Sequence, residues 1–245
     1  MKFNRLFLLI KGELLRLHKY NVIAISVLIA IIWGVMLYFV DSEIFNTLLP
    51  FLILVDTTLM SLMYIGSVMF FEKKESTMST MLVTPVTNQE IILSKIIANT
   101  IHNIFSTFLI IIVFIFVKDV KINYLLMILA ISLSTSVFTG LGLFLAYYQK
   151  DFSTMMMNIM ILMFILLIPT SLYAFGVLTA PIWEYILLLN PIQAANDIII
   201  GGFEGVELTW NYYFSLGYLF IGGILSYRFL IVPKFKNYAV SISGV

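Results

Sequence analysis

Residues 47–71 read TLLPFLILVDTTLMSLMYIGSVMFF, an apolar run in which Asp56 is the only charged residue. A helix that crosses the hydrocarbon core of a bilayer needs about 20 mostly apolar residues, so this run is long enough to span a membrane. The rest of the chain has the same character, since 61% of its 245 residues are hydrophobic and 11% are charged. Soluble domains carry about 25% charged residues. The sequence therefore predicts an integral membrane protein.

Further apolar runs of spanning length lie on both sides of this segment. The predicted spans are residues 21–40, 47–71, 91–117, 122–148, 154–176 and 212–232. No internal repeat or change of composition marks a domain boundary, so residues 1–245 are predicted to form one membrane domain. The predicted fold is all-α, with six transmembrane helices.

One more apolar stretch, residues 178–202, differs from these spans because polar residues and prolines interrupt it. Pro181, Glu184, the Asn190–Pro191 pair and Asp197 break its apolar pattern. Irregular backbone at membrane depth is tolerated only against protein or a wet cavity. We therefore expect a helix or helix pair that enters the membrane from the outer side and returns, a re-entrant segment before the last span.

The first twenty residues have the pattern of an amphipathic helix. Apolar residues recur every three or four positions, and cations fall on the other side. The apolar positions are Phe3, Phe7, Ile10, Leu14 and Leu17, and the cations are Lys2, Arg5, Arg16 and Lys19. Such a helix lies along a membrane surface with its cations toward the headgroups. The alternative is a soluble lead-in to the first span.

Lysine and arginine are distributed very unevenly between the predicted loops. Of the 14 in the chain, only Lys118 and Lys121 fall on the side opposite the N-terminus, which leaves 12 on the N-terminal side. Loops rich in these residues stay in the cytoplasm. Both termini are therefore predicted to be cytoplasmic, which agrees with an even number of crossings. The net charge of +1 gives no sign of a nucleic-acid partner.

The sequence contains no pattern typical of catalysis, metal binding or nucleotide binding. It has no G-x-x-x-x-G-K-[ST] phosphate-binding loop and no H-E-x-x-H metal motif. There are no cysteines, and neither His18 nor His102 has a partner at metal-ligand spacing. We therefore predict no catalytic residue, no metal and no cofactor in this chain, and interpret His102 as a packing or interfacial histidine.

The most informative polar segment is residues 72–90, EKKESTMSTMLVTPVTNQE, which we call the coupling loop. Met78, Met81 and Leu82 recur at helical spacing and predict a short helix with a small apolar face. Pro85 ends it, and Thr87 with Glu90 form a capping box for the next span. An apolar face on a cytoplasmic helix favours docking to a soluble partner. The alternative is a solvated loop resting on lipid headgroups.

This loop also resembles the first cytoplasmic loop of ABC-2 type permeases of ATP-binding-cassette transporters. Serine stands at 76 and 94, where the family usually has glycine, and the Asn190–Pro191 pair also resembles the family. The matching positions are Glu72, Glu75, Thr77, Leu82, Thr84, Pro85, Glu90 and Lys95.

The resemblance implies a permease that pairs with a second permease, the same or a homologous chain, in a bacterial plasma membrane. Two copies of a separate ATPase would bind below them and carry ATP and magnesium. Within the family the chain is most similar to the short drug- and antibiotic-export permeases, and an exporter of a lipid-linked polymer has the same architecture. The methionine- and phenylalanine-rich spans favour a hydrophobic or amphipathic cargo, such as a drug, antibiotic, toxic peptide or lipid-like molecule, over sugars or ions. The implied coupling contacts are Glu75, Thr77, Met78, Met81, Leu82, Thr84 and Pro85.

Asp56 is the acid that lies deepest within a predicted span. Because an intramembrane carboxylate is costly, it is expected to face the bundle interior or water. Helical spacing predicts that it shares a stripe with Met60, Met63 and Ser67, a candidate substrate pathway to which Asn158 of the fifth span is added. The alternative is a hydrogen-bonded carboxyl that fixes packing. The methionines around Asn158 are interpreted as flexible filler, because no cysteine or histidine accompanies them.

Two rival functions are compatible with parts of this pattern. A stand-alone channel or secondary carrier would use Asp56, and Asp197 with it, as ion or proton sites, and would not need a docking helix. An intramembrane enzyme would need a nucleophile or metal constellation, which the sequence lacks.

Overall fold

The computed structural model describes residues 3–39, 42–75, 77–117, 120–149 and 151–243, and its regular structure there is helical. This confirms the predicted all-α membrane fold. The α-helices are α1 Phe3–Lys19, α2 Val22–Tyr38, α3 Ser42–Val55, α4 Ser61–Lys74, α5 Thr77–Leu82, α6 Asn88–Val117, α7 Tyr124–Ala146, α8 Phe152–Ala174, α9 Ile182–Leu187, α10 Pro191–Ile200, α11 Trp210–Ser226 and α12 Val232–Ser243.

Among the described residues, five helices are long and apolar enough to cross a membrane, and α1 with α2 makes a sixth if that bent pair counts as one span. α1 and α2 meet at an angle of 60°. Asn21, at the corner between them, has a φ of 56°, a left-handed conformation that asparagine tolerates better than most residues. The five are Thr47–Lys74, Asn88–Phe116, Tyr124–Ala146, Phe152–Ala174 and Trp210–Ala239.

Two of the spans contain a π-helical turn. Asp56–Met60 joins α3 to α4 without a break in the helical backbone, and Tyr227–Ile231 joins α11 to α12 in the same way. Such turns are frequent at functional sites. The first of them includes the candidate residue Asp56.

α7 lies at the centre of the bundle and packs closely against both α4 and α6. Gly142 of α7 makes the close approach to α4 possible, because a Cβ atom there would lie 2.4 Å from Cγ2 of Ile65. Small residues at helix contacts have this role in membranes. The outer helices α2, α8 and α11 expose many apolar side chains, which suits contact with lipid.

The interrupted segment after α8 forms two short helices, α9 and α10. Asn190 caps α10 by accepting a hydrogen bond from the backbone N–H of Ile192, and Pro191 takes the first helical position. α10 has 10 residues, or about 15 Å of helix, too short to cross a bilayer. It is nevertheless buried, packed against α3, α7 and α11.

Candidate coupling site and buried polar seam

The coupling loop folds as the sequence predicts. α4 ends at Lys74, α5 occupies Thr77–Leu82, and a turn leads into α6 at Asn88. The capping box is present: the N–H of Thr87 donates to Oε2 of Glu90 at 2.9 Å, and the N–H of Glu90 donates to Oγ1 of Thr87 at 3.3 Å. The turn is therefore fixed at the start of α6.

The tip of this loop is the turn that follows α5. Val83 is 86% exposed there, and Thr84 and Pro85 are exposed as well. The Thr84 hydroxyl donates to the backbone oxygen of Met81 at 2.6 Å, which closes the turn. The three exposed residues therefore form a compact turn that is accessible to another protein.

The other predicted coupling residues are arranged around α5, which packs against α4 and α12. Met81 is half-buried against the core, so only part of its side chain is free for a partner. Thr77 is half-buried, and Glu75 is partly exposed. The side chains of Met78 and Leu82, and all of residue 76, lie outside the described part of the chain.

A buried cluster of charges lies directly behind this loop. The Lys95 ammonium of α6 donates to Oε1 of Glu13 at 2.8 Å and also to Glu72. Arg16 donates to Oε2 of Glu13 at 3.1 Å and also to Glu72. The side chains of Lys95 and Glu72 are 0% exposed. We call Glu13, Arg16, Glu72 and Lys95 the charge cluster.

The charge cluster corrects two expectations from the sequence. Glu72, placed in the solvated loop, is fully buried, and Arg16, placed toward the headgroups, is 17% exposed and turned into the protein. The physical reason is mutual neutralisation, because two cations and two carboxylates leave no net charge to desolvate. Glu13 could have been noticed, since it is the one acid on the apolar face of α1.

The pKa of Glu13 shows how the charge cluster compensates for the cost of burying a charged group. Burial disfavours the ionised carboxyl, but the charges of Lys95 and Arg16 and their hydrogen bonds hold the pKa of Glu13 below its ordinary value. The pairing joins three helices, because Glu13 and Arg16 belong to α1, Glu72 to α4 and Lys95 to α6.

Two further contacts tie α1 to the coupling loop. Arg5 donates to the backbone oxygen of Pro85, and Lys19 pairs with Glu75 at 3.8 Å. α1 also buries Leu6 and Leu17 against its neighbours, and Phe7, one of its predicted apolar positions, is 60% exposed. The N-terminal helix is amphipathic, and it also supports the coupling loop.

Asp56 is 9% exposed and faces α6, as expected for an acid inside a span. Ser106 donates to its Oδ1 at 3.2 Å, and Thr107 donates to its Oδ2 at 3.0 Å. Asn103 donates to its backbone oxygen at 3.1 Å and to the Ser61 hydroxyl at 3.0 Å. Among the described residues, its carboxylate has no basic partner in an ion pair.

The predicted common stripe through Asp56 is not preserved. Met60 is 37% exposed, whereas Met63 and Ser67 are half-buried and Asp56 is buried against α6. The π-helical turn has a longer period than an α-helix and so shifts the register between Asp56 and the later positions. Asn158 donates to Oε1 of Gln149 at 3.0 Å, within its own chain. The role of these residues in a substrate pathway stays a prediction.

A line of buried polar side chains on α6 connects the two regions. Asn99 donates to Oγ1 of Thr139 at 2.6 Å and is 1% exposed, and Asn103 is 2% exposed. We call this line, Lys95, Asn99, Asn103, Ser106 and Thr107, the polar seam. Its spacing of three or four residues could have been read from the sequence as one helical face. The seam runs from the charge cluster to Asp56.

His102 lies beside the seam and packs as interpreted from the sequence. Its Nε2 is 3.1 Å from the Ser26 hydroxyl of α2, and its ring stacks on Tyr64 at a centroid distance of 5.7 Å. No group of three or more His, Cys, Asp or Glu suited to a metal occurs among the described residues.

Together, the fold and these sites define a multi-pass α-helical membrane protein with a structured loop braced from behind by buried charges. The sequence matches the family model described as ABC-2 type transporter over residues 4–203. The chain therefore belongs to the ABC-2 type transporter family, whose members are the membrane components of ABC transporters. No curated protein matches the chain.

Substitutions of Asp56 test its role. We expect Asp56→Asn to lower stability by at most about 1 kcal/mol, because an amide can still bond to Ser106 and Thr107. Asp56→Leu would leave both hydroxyls without that partner and cost about 1–3 kcal/mol. Thermal unfolding of the purified chain measures both.

The transport rate completes this test. If Asp56 lies in the transport pathway, Asp56→Asn is expected to slow transport by more than its small loss of stability can explain. Normal transport by Asp56→Asn, with the loss of stability confined to Asp56→Leu, would instead assign Asp56 to packing.

Proposed function

We propose that this chain is the permease subunit of an ATP-driven exporter that moves a hydrophobic or amphipathic compound out across a bacterial plasma membrane. The family establishes a transporter membrane component that is not itself the ATPase. The export direction, the cargo and the cytoplasmic side of both termini are part of the proposal. A second permease, the same or a homologous chain, and two copies of a separate ATPase complete the assembly.

The observation that carries this proposal is the exposed tip of the coupling loop together with its rigid support. Val83 projects from a turn that the capping box and Arg5 hold in place. Behind the turn, the charge cluster joins α1, α4 and α6. A loop that merely rested on headgroups would not need support from three helices.

The proposed mechanism follows from this connection. The ATPase binds the loop tip, and its closure on ATP displaces α5. Because buried charges resist separation, α1 and the inner ends of α4 and α6 move as one unit. The polar seam starts at Lys95 of this unit, continues along α6 and ends at Asp56. A displacement of the unit is therefore carried along α6 into the bundle.

The cargo class is inferred from the surfaces of the spans. They are rich in methionine, phenylalanine and aliphatic residues, and many of these are exposed on α8 and α11. Methionine-rich surfaces adapt to varied apolar partners. Such surfaces favour apolar or amphipathic cargo over sugars or inorganic ions.

Reconstitution tests the proposal. The tagged chain, purified in mild detergent from its own host, is expected to retain a vanadate-sensitive ATPase. Vesicles containing the complex are expected to transport a lipophilic dye only when MgATP is present on the side of the loop. Transport by the chain alone, driven by an ion gradient and without ATP, would instead favour a secondary carrier.

A further inference from the structure

A cavity of about 840 Å³ opens at the end of the bundle opposite the coupling loop. α3 contributes Thr47 and residues 49–51 to the wall, and the long span that starts at Thr47 ends at Lys74 beside the coupling loop. The end of α8, the outward face of α10 and the turn at residues 203–206 form the remaining walls. Cavities of about 300–1,000 Å³ are typical of small-molecule sites.

The walls of this cavity are already fixed. The N–H of Glu204 donates to the Lys121 oxygen at 3.0 Å, and the N–H of Asn123 donates to the Gly202 oxygen at 2.9 Å. These bonds join the loop before α7 to the turn after α10. Gly205, with a φ of 82°, lets the chain turn along the cavity edge. Preformed walls reduce the ordering cost of binding a ligand.

The polar lining is dominated by acceptors of hydrogen bonds. Asp197 accepts from Nε2 of Gln193 and from the Ser215 hydroxyl, each at 2.8 Å. Gln193 is 7% exposed, and its Oε1 has no hydrogen-bond partner among the described residues. Glu204 adds a second carboxylate, and among the described residues of the lining Lys121 is the one with a cationic side chain. The cavity thus offers excess negative charge and an unused buried acceptor.

The rest of the lining is apolar. Leu49, Pro50 and Phe51 of α3 face the cavity together with Ile200 of α10 and Val206. An apolar body could therefore be enclosed while a cationic group stays near the carboxylates. An inorganic cation would leave this apolar surface unused, and a neutral molecule would leave the charge of the carboxylates uncompensated.

We propose that this cavity is a binding site for an amphipathic organic cation, held by Asp197 and Glu204 at its charged end and by the α3 side chains along its apolar body. The proposal rests on the proposed export function for its role, because a site at this end would hold cargo before release. Binding itself can be measured without ATP or the ATPase, so the two proposals can fail separately.

Asp197 also gives the site a pH dependence. Burial raises the pKa of Asp197 to about 6, while the hydrogen bonds from Ser215 and Gln193 act in the opposite direction and the charge of Glu184 adds to the rise. Among the described residues, the other charged or titratable groups that line this region are Glu204, Lys121 and Tyr173. A cation prefers the ionised carboxyl, so its affinity should rise as pH increases through about 6.

The probe is tetraphenylphosphonium, whose charge does not change with pH, and triphenylphosphine oxide is its neutral counterpart. Binding is measured by calorimetry to the full chain in lipid nanodiscs. Asp197→Asn is expected to weaken tetraphenylphosphonium binding about tenfold, as for loss of a charged contact of moderate strength, and to flatten its pH dependence. Glu207→Gln removes an exposed acid outside the cavity lining and is the matched control.

A second pair of variants keeps the test decisive if Asp197→Asn folds poorly. Ala174 lines the cavity at the last turn of α8, where a cation is well tolerated. Ala174→Arg should weaken the cation about tenfold, whereas Ala174→Gln, of similar length, should leave it unchanged. The proposal would be overturned if the cation bound the native chain, Asp197→Asn and Ala174→Arg with equal affinity. It would also be overturned if the native chain bound the cation and the neutral compound with equal affinity.

Discussion

Replacing Val83 with aspartate is expected to abolish association with the ATPase while leaving the chain folded in the membrane. Val83 is 86% exposed at the tip of the coupling loop, so the substitution removes no internal packing. In a complex, however, the new carboxylate would be buried against an apolar surface without a partner. We expect association to weaken at least about a hundredfold, the effect of losing a central contact in an interface.

Co-purification of vanadate-sensitive ATPase activity with the tagged chain measures this effect. Val177→Asp is the matched control, since Val177 is 64% exposed and follows α8 at the other end of the bundle. Met81 is less suitable, because it is half-buried against the core and its charged variant would disturb the fold. Equal ATPase recovery with Val83→Asp and Val177→Asp would remove the loop tip from the interface.

Replacing Lys95 with methionine is expected to cost about 3–5 kcal/mol of stability, the range for removing one partner of a buried ion pair. Lys95 is the fully buried cation of the charge cluster and donates to both Glu13 and Glu72. Its loss leaves two carboxylates with Arg16 alone. Thermal unfolding in detergent, followed by gel filtration, compares the variant with the native chain.

Two further variants distinguish the effect of breaking the charge cluster from the general effect of removing a lysine. Lys19→Met removes the exposed pair with Glu75, in which Lys19 is 70% exposed, and a contact with the Tyr20 ring, and should cost less than about 1 kcal/mol. Glu72→Gln combined with Lys95→Met restores a neutral cluster and should recover much of the lost stability. The account of a buried cluster is wrong if Lys95→Met unfolds at the same temperature as Lys19→Met.

The elements that the sequence predicted are those fixed by local chemistry. Membrane helices satisfy their own backbone hydrogen bonds, so apolar runs located α6, α7 and α8 to within a few residues. The Thr87–Glu90 capping box could be predicted from the sequence because its partners are three residues apart. The helix pair after α8 followed from the Asn190–Pro191 signal, since both residues act at the first turn of α10.

The features that the sequence did not predict depend on distant contacts. Lys95 and Glu13 are separated by 82 positions, and nothing local shows that their charges neutralise each other. The π-helical turn at Asp56 changed the register of a stripe that α-helical spacing had placed on one face. The polar seam is an exception among these features, because its spacing of three or four residues on α6 can be read from the sequence alone.

The central claim is that the exposed tip of the coupling loop contacts the ATPase. The chain contains no cysteine, so a single Val83→Cys variant can be treated with a short thiol-to-amine crosslinker in native membranes without other changes. We predict a crosslinked product of this chain with the ATPase, whose yield changes when ATP is added, and none from Val177→Cys. Labelling of Val83→Cys by lipid-confined reagents, with no ATPase product, would contradict the claim and return the loop to the membrane surface.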